Sequence, residues 1–307
     1  MNKTENKKWE VKSGKWELLS SHFLVLTSYF LLLTLFSGCG SAPVQLSDTH
    51  LKAVELNRRA EAAFGKGDYK QALALYSEAL RTDRSIEHID GIATNLINMA
   101  AVSRETGDKV NAHKYIDEIF NSSPMTQNPS LLAEAAFVKA SICADESRYA
   151  LSSEWADRAL SYCRDKECGP EGKLCNLKAR LSLLTGDPAS ALSYGGTGLE
   201  LNSKYEDSEE IANSLRLIAA AKASKGDKEG ARKLYEEALA IDKAAGLSRK
   251  VIIDLAGIGD ILAAQGRNED ALHYYQRALS AAGSAGTEQA VKDLSAKIGV
   301  LNKKQKQ

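Results

Sequence analysis

The sequence predicts an all-α protein built from repeated helical hairpins. The pattern of a 15-residue stretch that begins at Lys225 returns from Gln265, with identical residues at six positions. In both copies a glycine and a polar pair precede alanine, tyrosine and Ala-Leu at helical spacing. Glycine reaches positive φ without steric cost, so the glycine and its polar neighbours indicate a tight turn between two helices. Five prolines and few alternating β-branched runs leave no convincing sheet.

The turn pattern recurs at a nearly constant spacing. It is clear at Gly67, weaker at Gly107, and eroded at Ser147 and at Gly186. The turn positions 67, 107, 147, 186, 226 and 266 are separated by 40, 40, 39, 40 and 40 residues. After the fourth turn, the glycine-rich run 195–198 replaces the packing residues of a second helix, so we interpret it as helical rather than as a phosphate loop.

The pattern Gly-x4-Ala-x3-Tyr-x2-Ala-Leu resembles the tetratricopeptide repeat, and the resemblance covers roughly residues 50–280. It implies a right-handed α-solenoid, or superhelix, of about six helix-turn-helix repeats of about 40 residues. The family's usual period is about 34 residues, so this array needs longer helices or longer loops. Alanines in the second helices then allow close helix approach, and tyrosines fill the wedge between hairpins. These residues are Ala72, Ala112, Ala191, Ala231 and Ala271, with Tyr76, Tyr235 and Tyr275.

The N-terminus has the order of a secretory signal. A polar, basic segment precedes an apolar run at 23–36, and 14 residues are short for a bilayer span of about 20. The run ends in Phe36-Ser37-Gly38-Cys39, which resembles the bacterial lipobox and implies diacylation of Cys39 before cleavage. An uncleaved signal anchor and a plain secretory signal are the alternatives. Phe36 departs from the branched aliphatic residue of the motif.

These features divide the chain into four parts. Residues 1–38 are the predicted lipoprotein signal peptide, and 39–50 the lipidated N-terminus with a linker. The repeat array covers 51–285, and 286–307 form a capping helix with a basic tail. By analogy with lipoprotein sorting in enteric bacteria, the lack of aspartate at position 40 predicts the periplasmic face of the outer membrane. Several acyl chains together would give a stable lipid anchor.

Composition narrows the function classes. Lys+Arg and Asp+Glu both number 40, and this neutral balance argues against nucleic-acid binding. The histidines fall at unrelated repeat positions, and no Walker, HExxH or G-x-S-x-G text occurs. We therefore expect neither catalysis, nor a cofactor, nor a metal site.

Four cysteines remain beside the lipidation candidate: Cys143, Cys163, Cys168 and Cys175. Their even number in an oxidising compartment favours a disulfide, and four cysteines allow three connectivities. Free buried thiols are the alternative. The spacings of five and seven residues lack the C-x2-C pairing of zinc sites, which argues against a metal.

The expected function is protein binding, because repeat rotation lines a concave groove with first-helix side chains. The resemblance places seven candidate groove residues in this sequence: Asn57, Arg104, Lys173, Asn176, Arg180, Asn213 and Arg216. We hypothesise that Lys173, Arg180 and Arg216 accept an extended or helical segment with acidic groups. An ordinary solvated face is the alternative. A chaperone-type carboxylate clamp is not supported, because its positions hold Asn57 and Glu61.

The leading interpretation is a membrane-anchored scaffold in the bacterial cell envelope, within outer-membrane, pilus or secretion assembly. Its partner would be a protein or peptide held in the groove. The alternative is a periplasmic accessory that recruits or regulates an enzyme of cell-wall or polysaccharide metabolism.

Overall fold

The computed structural model describes residues 47–121, 125–163 and 169–305. The predicted signal peptide, the lipidation candidate Cys39, the linker up to residue 46 and Cys168 lie outside the described residues. The described chain forms thirteen helices: α1 Asp48–Gly65, α2 Tyr69–Ser85, α3 Ile89–Glu105, α4 Lys109–Phe120, α5 Pro129–Asp145, α6 Tyr149–Cys163, α7 Glu171–Leu184, α8 Pro188–Lys204, α9 Ser208–Ser224, α10 Lys228–Ala244, α11 Ser248–Ala264, α12 Asn268–Ser284 and α13 Glu288–Gln305.

The helices pair as six hairpins, from α1–α2 to α11–α12, and α13 follows the last one. The predicted all-α class is confirmed, since every regular element within the described ranges is a helix. Helix length explains the period near 40. Most helices have 17 residues, including all five from α8 to α12, and three-residue turns separate these five. The array therefore lengthens its helices rather than its loops.

All six predicted hairpin turns contain a residue with positive φ. Five are glycines, from Gly67 at +77° to Gly266 at +77°, and the sixth is Ser147 at +60°. At the first turn the amide of Gly67 donates to the carbonyl of Phe64, and the amide of Asp68 donates to Ala63 at 2.9 Å. This is a Schellman ending, which satisfies the last carbonyls of a helix. The Asp68 carboxylate then accepts from the amide of Gln71 as the N-cap of α2.

The turns between hairpins use the same device. Glu87, Glu206, Gly246 and Gly286 have φ between 53° and 70°, and each lies 20 residues after a hairpin-turn residue. Two of these residues are glutamates, which lack the conformational freedom of glycine. The regular parts of the array thus alternate 17-residue helices and short left-handed turns.

Small residues hold the helices together, as the sequence predicts. The five second-helix alanines, Ala72, Ala112, Ala191, Ala231 and Ala271, are all 0% exposed. Tyr76 and Tyr275 are buried, while Tyr235 is only half-buried and faces an inner cavity. The last helix, α13, covers the end of the stack with the buried residues Leu294 and Leu301. None of the described helices combines the length and apolarity needed to cross a bilayer.

Candidate functional site

The first helices of the hairpins enclose a cavity of about 840 Å³. Helices α1, α3, α5, α7, α9 and α11 all contribute to its lining. The second helices add Tyr69 and Tyr235. Because equivalent positions recur about every 40 residues, side chains from successive first helices line up in rows across this cavity.

One row forms an apolar strip along the cavity wall. It consists of Phe137, Leu177 and Leu217, which are spaced by 40 residues and all line the cavity. The next residue in the series is Gly257, and a Cβ there would lie 2.6 Å from the ring of Tyr235. The Tyr235 ring therefore occupies the place of a side chain at position 257 and continues the strip. Burial raises the pKa of Tyr235 to about 12, so its hydroxyl stays protonated at neutral pH.

A contact between distant hairpins lies at one side of the cavity. The guanidinium of Arg249 in α11 donates to the hydroxyl of Tyr69 in α2 at 3.2 Å, although 180 residues separate them. Tyr69 lines the cavity, as do Phe64 from α1 and Ile253 from α11. The array thus curves until its first and sixth hairpins meet.

Six of the seven groove candidates line this cavity: Arg104, Lys173, Asn176, Arg180, Asn213 and Arg216. Asn57 is not among the lining residues, and its amide donates to the carbonyl of Ala53 within α1. The lining also contains four acidic side chains beside the predicted groove residues: Glu105, Glu134, Glu209 and Glu210. The inner face therefore carries charges of both signs rather than mostly cations.

Arg216 is the centre of a buried charge cluster. Its guanidinium pairs with Asp242 from α10 and with Asp254 from α11 at 3.2 Å, and it donates to Asn213 at 2.5 Å. The side chains of both aspartates are 0% exposed, and Arg216 is 8% exposed. Burial raises the pKa of Asp254 to about 7 against the opposing attraction of Arg216. The charge of Arg216 is already met by two carboxylates, so little of it remains for a ligand.

Arg104 and Arg180 share one acid. The carboxylate of Asp145 at the end of α5 accepts from Arg104 at 2.7 Å and from Arg180 at 3.2 Å. Glu105 also pairs with Arg104 at 3.8 Å, so Arg104 has two acidic partners and Arg180 has only its share of Asp145. Arg180 is 46% exposed and can reach a bound segment.

Asn176 and Asn213 join neighbouring hairpins. The Asn176 amide donates to the Glu210 carboxylate at 2.9 Å, and its oxygen accepts from Ser214 at 2.7 Å. The Asn213 oxygen accepts from Lys250 at 2.7 Å as well as from Arg216. These contacts use the polar atoms of both amides on the protein itself.

Lys173 is the lining cation that keeps its charge most available. It makes no ion pair within 4.0 Å in the part of the chain that the structure describes, and it is half-buried. It does act on Glu134, whose pKa is raised by burial and by Glu210 and lowered by Lys173. A partner's carboxylate near Lys173 would therefore compete with Glu134.

The cysteines show no disulfide among Cys143, Cys163 and Cys175, the three that lie in the described ranges. All three are buried, and burial raises the pKa of the Cys143 and Cys175 thiols. Any pairing of Cys168 lies outside the described residues and stays a prediction. Within the described ranges, no three His, Cys, Asp or Glu side chains are grouped so as to hold a metal ion.

A stack of helical hairpins around an inner cavity defines an α-solenoid. Solved structures share this fold. A Rap protein complexed with Competence and Sporulation Factor gives a TM-score of 0.64 at 14% identity, over 83% of this chain and 72% of that chain. NprR in complex with its cognate peptide NprX gives 0.60 at 16% identity, over 85% and 74%.

A third similar structure is PH0952 from Pyrococcus horikoshii, a signal transduction ATPase with a tetratricopeptide repeat sensor. It gives a TM-score of 0.63 at 15% identity, over 81% of this chain and 38% of that chain. The tetratricopeptide repeat family model matches residues 255–284, in the sixth hairpin. No curated protein has significant sequence similarity to the chain. Residues 255–284 thus match the tetratricopeptide repeat model, and the described chain as a whole shares the helical-hairpin fold of these solved structures.

Proposed function

We propose that the protein binds an extended or helical segment of a partner protein in its inner cavity. The apolar strip of Phe137, Leu177 and Leu217, continued by Tyr235, is the observation that carries this proposal. Ligand sites are typically concave and mostly apolar, with a few placed polar groups that fix orientation. The similar fold of NprR, which was solved with its cognate peptide, supports the same interpretation.

The proposed segment carries an acidic group for the Lys173 side of the cavity. Lys173 has no ion pair within 4.0 Å in the described part, and Arg180 shares its carboxylate partner Asp145 with Arg104. Arg216 contributes less to this recognition than the sequence suggests, because Asp242 and Asp254 neutralise it. Lys173→Glu should therefore weaken binding of the partner. Arg216→Gln should remove less direct contact with the partner, so its direct effect on binding should be smaller.

Crosslinking in intact cells, with mass spectrometry of the captured proteins, tests the cavity. Ile253 lines it and is 53% exposed, so Ile253→Asp places a charge in the cavity without disturbing the core. Val110 is 78% exposed and lies outside the cavity lining, which makes Val110→Asp the matched control. We expect Ile253→Asp to lose partners that both the parent and Val110→Asp retain. Equal capture by all three proteins would contradict the proposal.

We further propose that the array is attached to a membrane of the bacterial cell envelope through acyl chains on Cys39, as a scaffold for envelope assembly. The support is the apolar run 23–36 and its ending at Phe36-Ser37-Gly38-Cys39. Metabolic labelling with a fatty-acid analogue should mark the protein, and Cys39→Ser should abolish the label. Fractionation of the two membranes then tests the outer-membrane location. A labelled Cys39→Ser variant would contradict lipidation at this residue.

A further inference from the structure

Three aromatic rings pack against an arginine in the layer of second helices. The guanidinium carbon of Arg158 lies 4.7 Å from the ring centroids of Phe120 and Trp155 and 5.9 Å from that of Tyr162. Its Nε donates to the Tyr162 hydroxyl at 2.9 Å. The Phe120 and Trp155 rings are themselves in contact, with centroids 5.1 Å apart. We call these four residues the aromatic–arginine cluster.

The cluster is separate from the inner cavity. Its residues belong to the second helices α4 and α6, and none of the four is part of the cavity lining. Trp155, Arg158 and Tyr162 follow one another at helical spacing on α6, and Phe120 is the last residue of α4. The three rings are half-buried and Arg158 is exposed, so solvent reaches the cluster.

The stacked guanidinium keeps its outer donors unused. Neither Nη group of Arg158 makes a hydrogen bond or ion pair to any residue in the described ranges. Glu154 is exposed one helical turn before Arg158, at the spacing that favours a Glu–Arg pair, yet Arg158 lies against the rings instead. Asp157, the residue before Arg158 in the chain, pairs with Lys178. Among the described residues, the cluster thus presents a fixed fork of N–H donors that no acid occupies.

We propose that the aromatic–arginine cluster is a second docking site, which takes a carboxylate side chain of a partner protein in a bidentate pair with Arg158. Planar guanidinium groups match carboxylates in this way, and stacking fixes the side chain before the partner arrives. Trp, Tyr and Arg are also the residues that dominate binding energy at protein interfaces. A nucleic acid is a poorer match, because the chain is neutral, with 40 basic and 40 acidic residues.

The chain offers its own reporter for this site. Its three tryptophans are Trp9, Trp16 and Trp155, so Trp9→Phe with Trp16→Phe leaves only Trp155 whether or not the predicted signal peptide is removed. A capped tetrapeptide with two glutamates between leucines is the probe, and its glutamine counterpart is the control. We expect a saturable change in Trp155 emission with the glutamate peptide. The dissociation constant should be at least about tenfold higher for the glutamine peptide with the parent protein, and for the glutamate peptide with Arg158→Gln.

Several results would overturn the proposal. They are no saturable change up to about 10 mM peptide, equal responses to the two peptides, or a response that survives Arg158→Gln. Tetramethylammonium that produces the same change would instead identify a cation site from which Arg158 is displaced. Arg158→Lys keeps the charge without the planar fork, so undiminished binding would refute bidentate recognition. Circular dichroism should show unchanged helicity in the Arg158 variants, since this side chain is exposed.

Discussion

Three glycines lie in the middle of α8, and the structure separates one that is dispensable from one that is not. A Cβ at Gly196 would meet no atom within 4 Å. A Cβ at Gly198 would lie 2.6 Å from the Asn176 side-chain oxygen and 3.3 Å from both Cys175 Cβ and the backbone oxygen of Gly172. Glycine in a helix interior costs about 0.5–1 kcal/mol relative to alanine. We therefore expect opposite outcomes from the same chemical change at these two positions.

Gly196→Ala should stabilise α8 by about 0.5–1 kcal/mol, because only the helix propensity changes. Gly198→Ala gains the same propensity but must displace Asn176, which bonds Glu210 and Ser214 across the hairpin boundary. Overpacking a well-packed site costs about 1–3 kcal/mol, and a broken buried hydrogen bond adds about 1 kcal/mol. The net effect of Gly198→Ala should be a loss of about 1–3 kcal/mol after the propensity gain.

Hydrogen exchange read by mass spectrometry is the suitable assay, because repeat arrays can open locally. Peptides from Pro188–Lys204 should exchange more slowly in Gly196→Ala and faster in Gly198→Ala. Urea unfolding followed by circular dichroism gives the global change. Equal stabilisation by both substitutions would show that α7 and α8 are not packed as closely as the structure places them.

The other predictions concern a turn, a cap and a buried acid. Glu206→Gly should raise the free energy of unfolding by about 1 kcal/mol, because Glu206 has φ of 55°; urea unfolding checks this. Asp227→Ala should lower it by about 1 kcal/mol in the same assay, since Asp227 caps the backbone of α10. For Asp254, the folded pKa of about 7 exceeds the ordinary value, so folding takes up a proton between these two pH values. Its contribution to stability therefore declines as pH rises to 7, and Asp254→Asn should flatten that part of the pH profile of unfolding.

The turns show how far sequence reasoning reaches. Gly67-Asp68 and Gly226-Asp227 combine a residue for the left-handed turn with an N-cap for the next helix, so two adjacent residues carry the whole signal. Ser147 lacks that signal, but the constant spacing predicts a turn there, and Ser147 has positive φ. The turns between hairpins at Glu87 and Glu206 are not predicted from the sequence, because glutamate does not favour the left-handed conformation.

For the cavity, the sequence predicts which positions line it but not what their side chains contact. Its lining positions follow from the repeat register, and six of seven candidates lie there. What each side chain contacts depends on neighbouring helices, and the acids that neutralise Arg216 come from 26 and 38 residues away. The apolar strip was open to prediction, since Phe137, Leu177 and Leu217 share the 40-residue spacing. The continuation of that strip was not, because it depends on the Tyr235 ring lying over Gly257.

The boundaries between hairpins explain much of the polarity of the inner face. At three of them, buried polar residues 12 apart join the second helix of one hairpin to the first helix of the next. These pairs are Asp83 with Asn95, Asn202 with Ser214, and Asp242 with Asp254.

Two cavity-lining side chains are bonded into these boundary pairs: Asn176 contacts Ser214, and Arg216 contacts Asp242 and Asp254. Since a buried polar group must be paired or cost about 1–3 kcal/mol, these side chains are committed to the fold before any ligand arrives. In the proposed binding function, recognition in the cavity falls to the groups that the fold leaves available. Those groups are the apolar strip, Lys173 and the Arg180 side chain, which is 46% exposed.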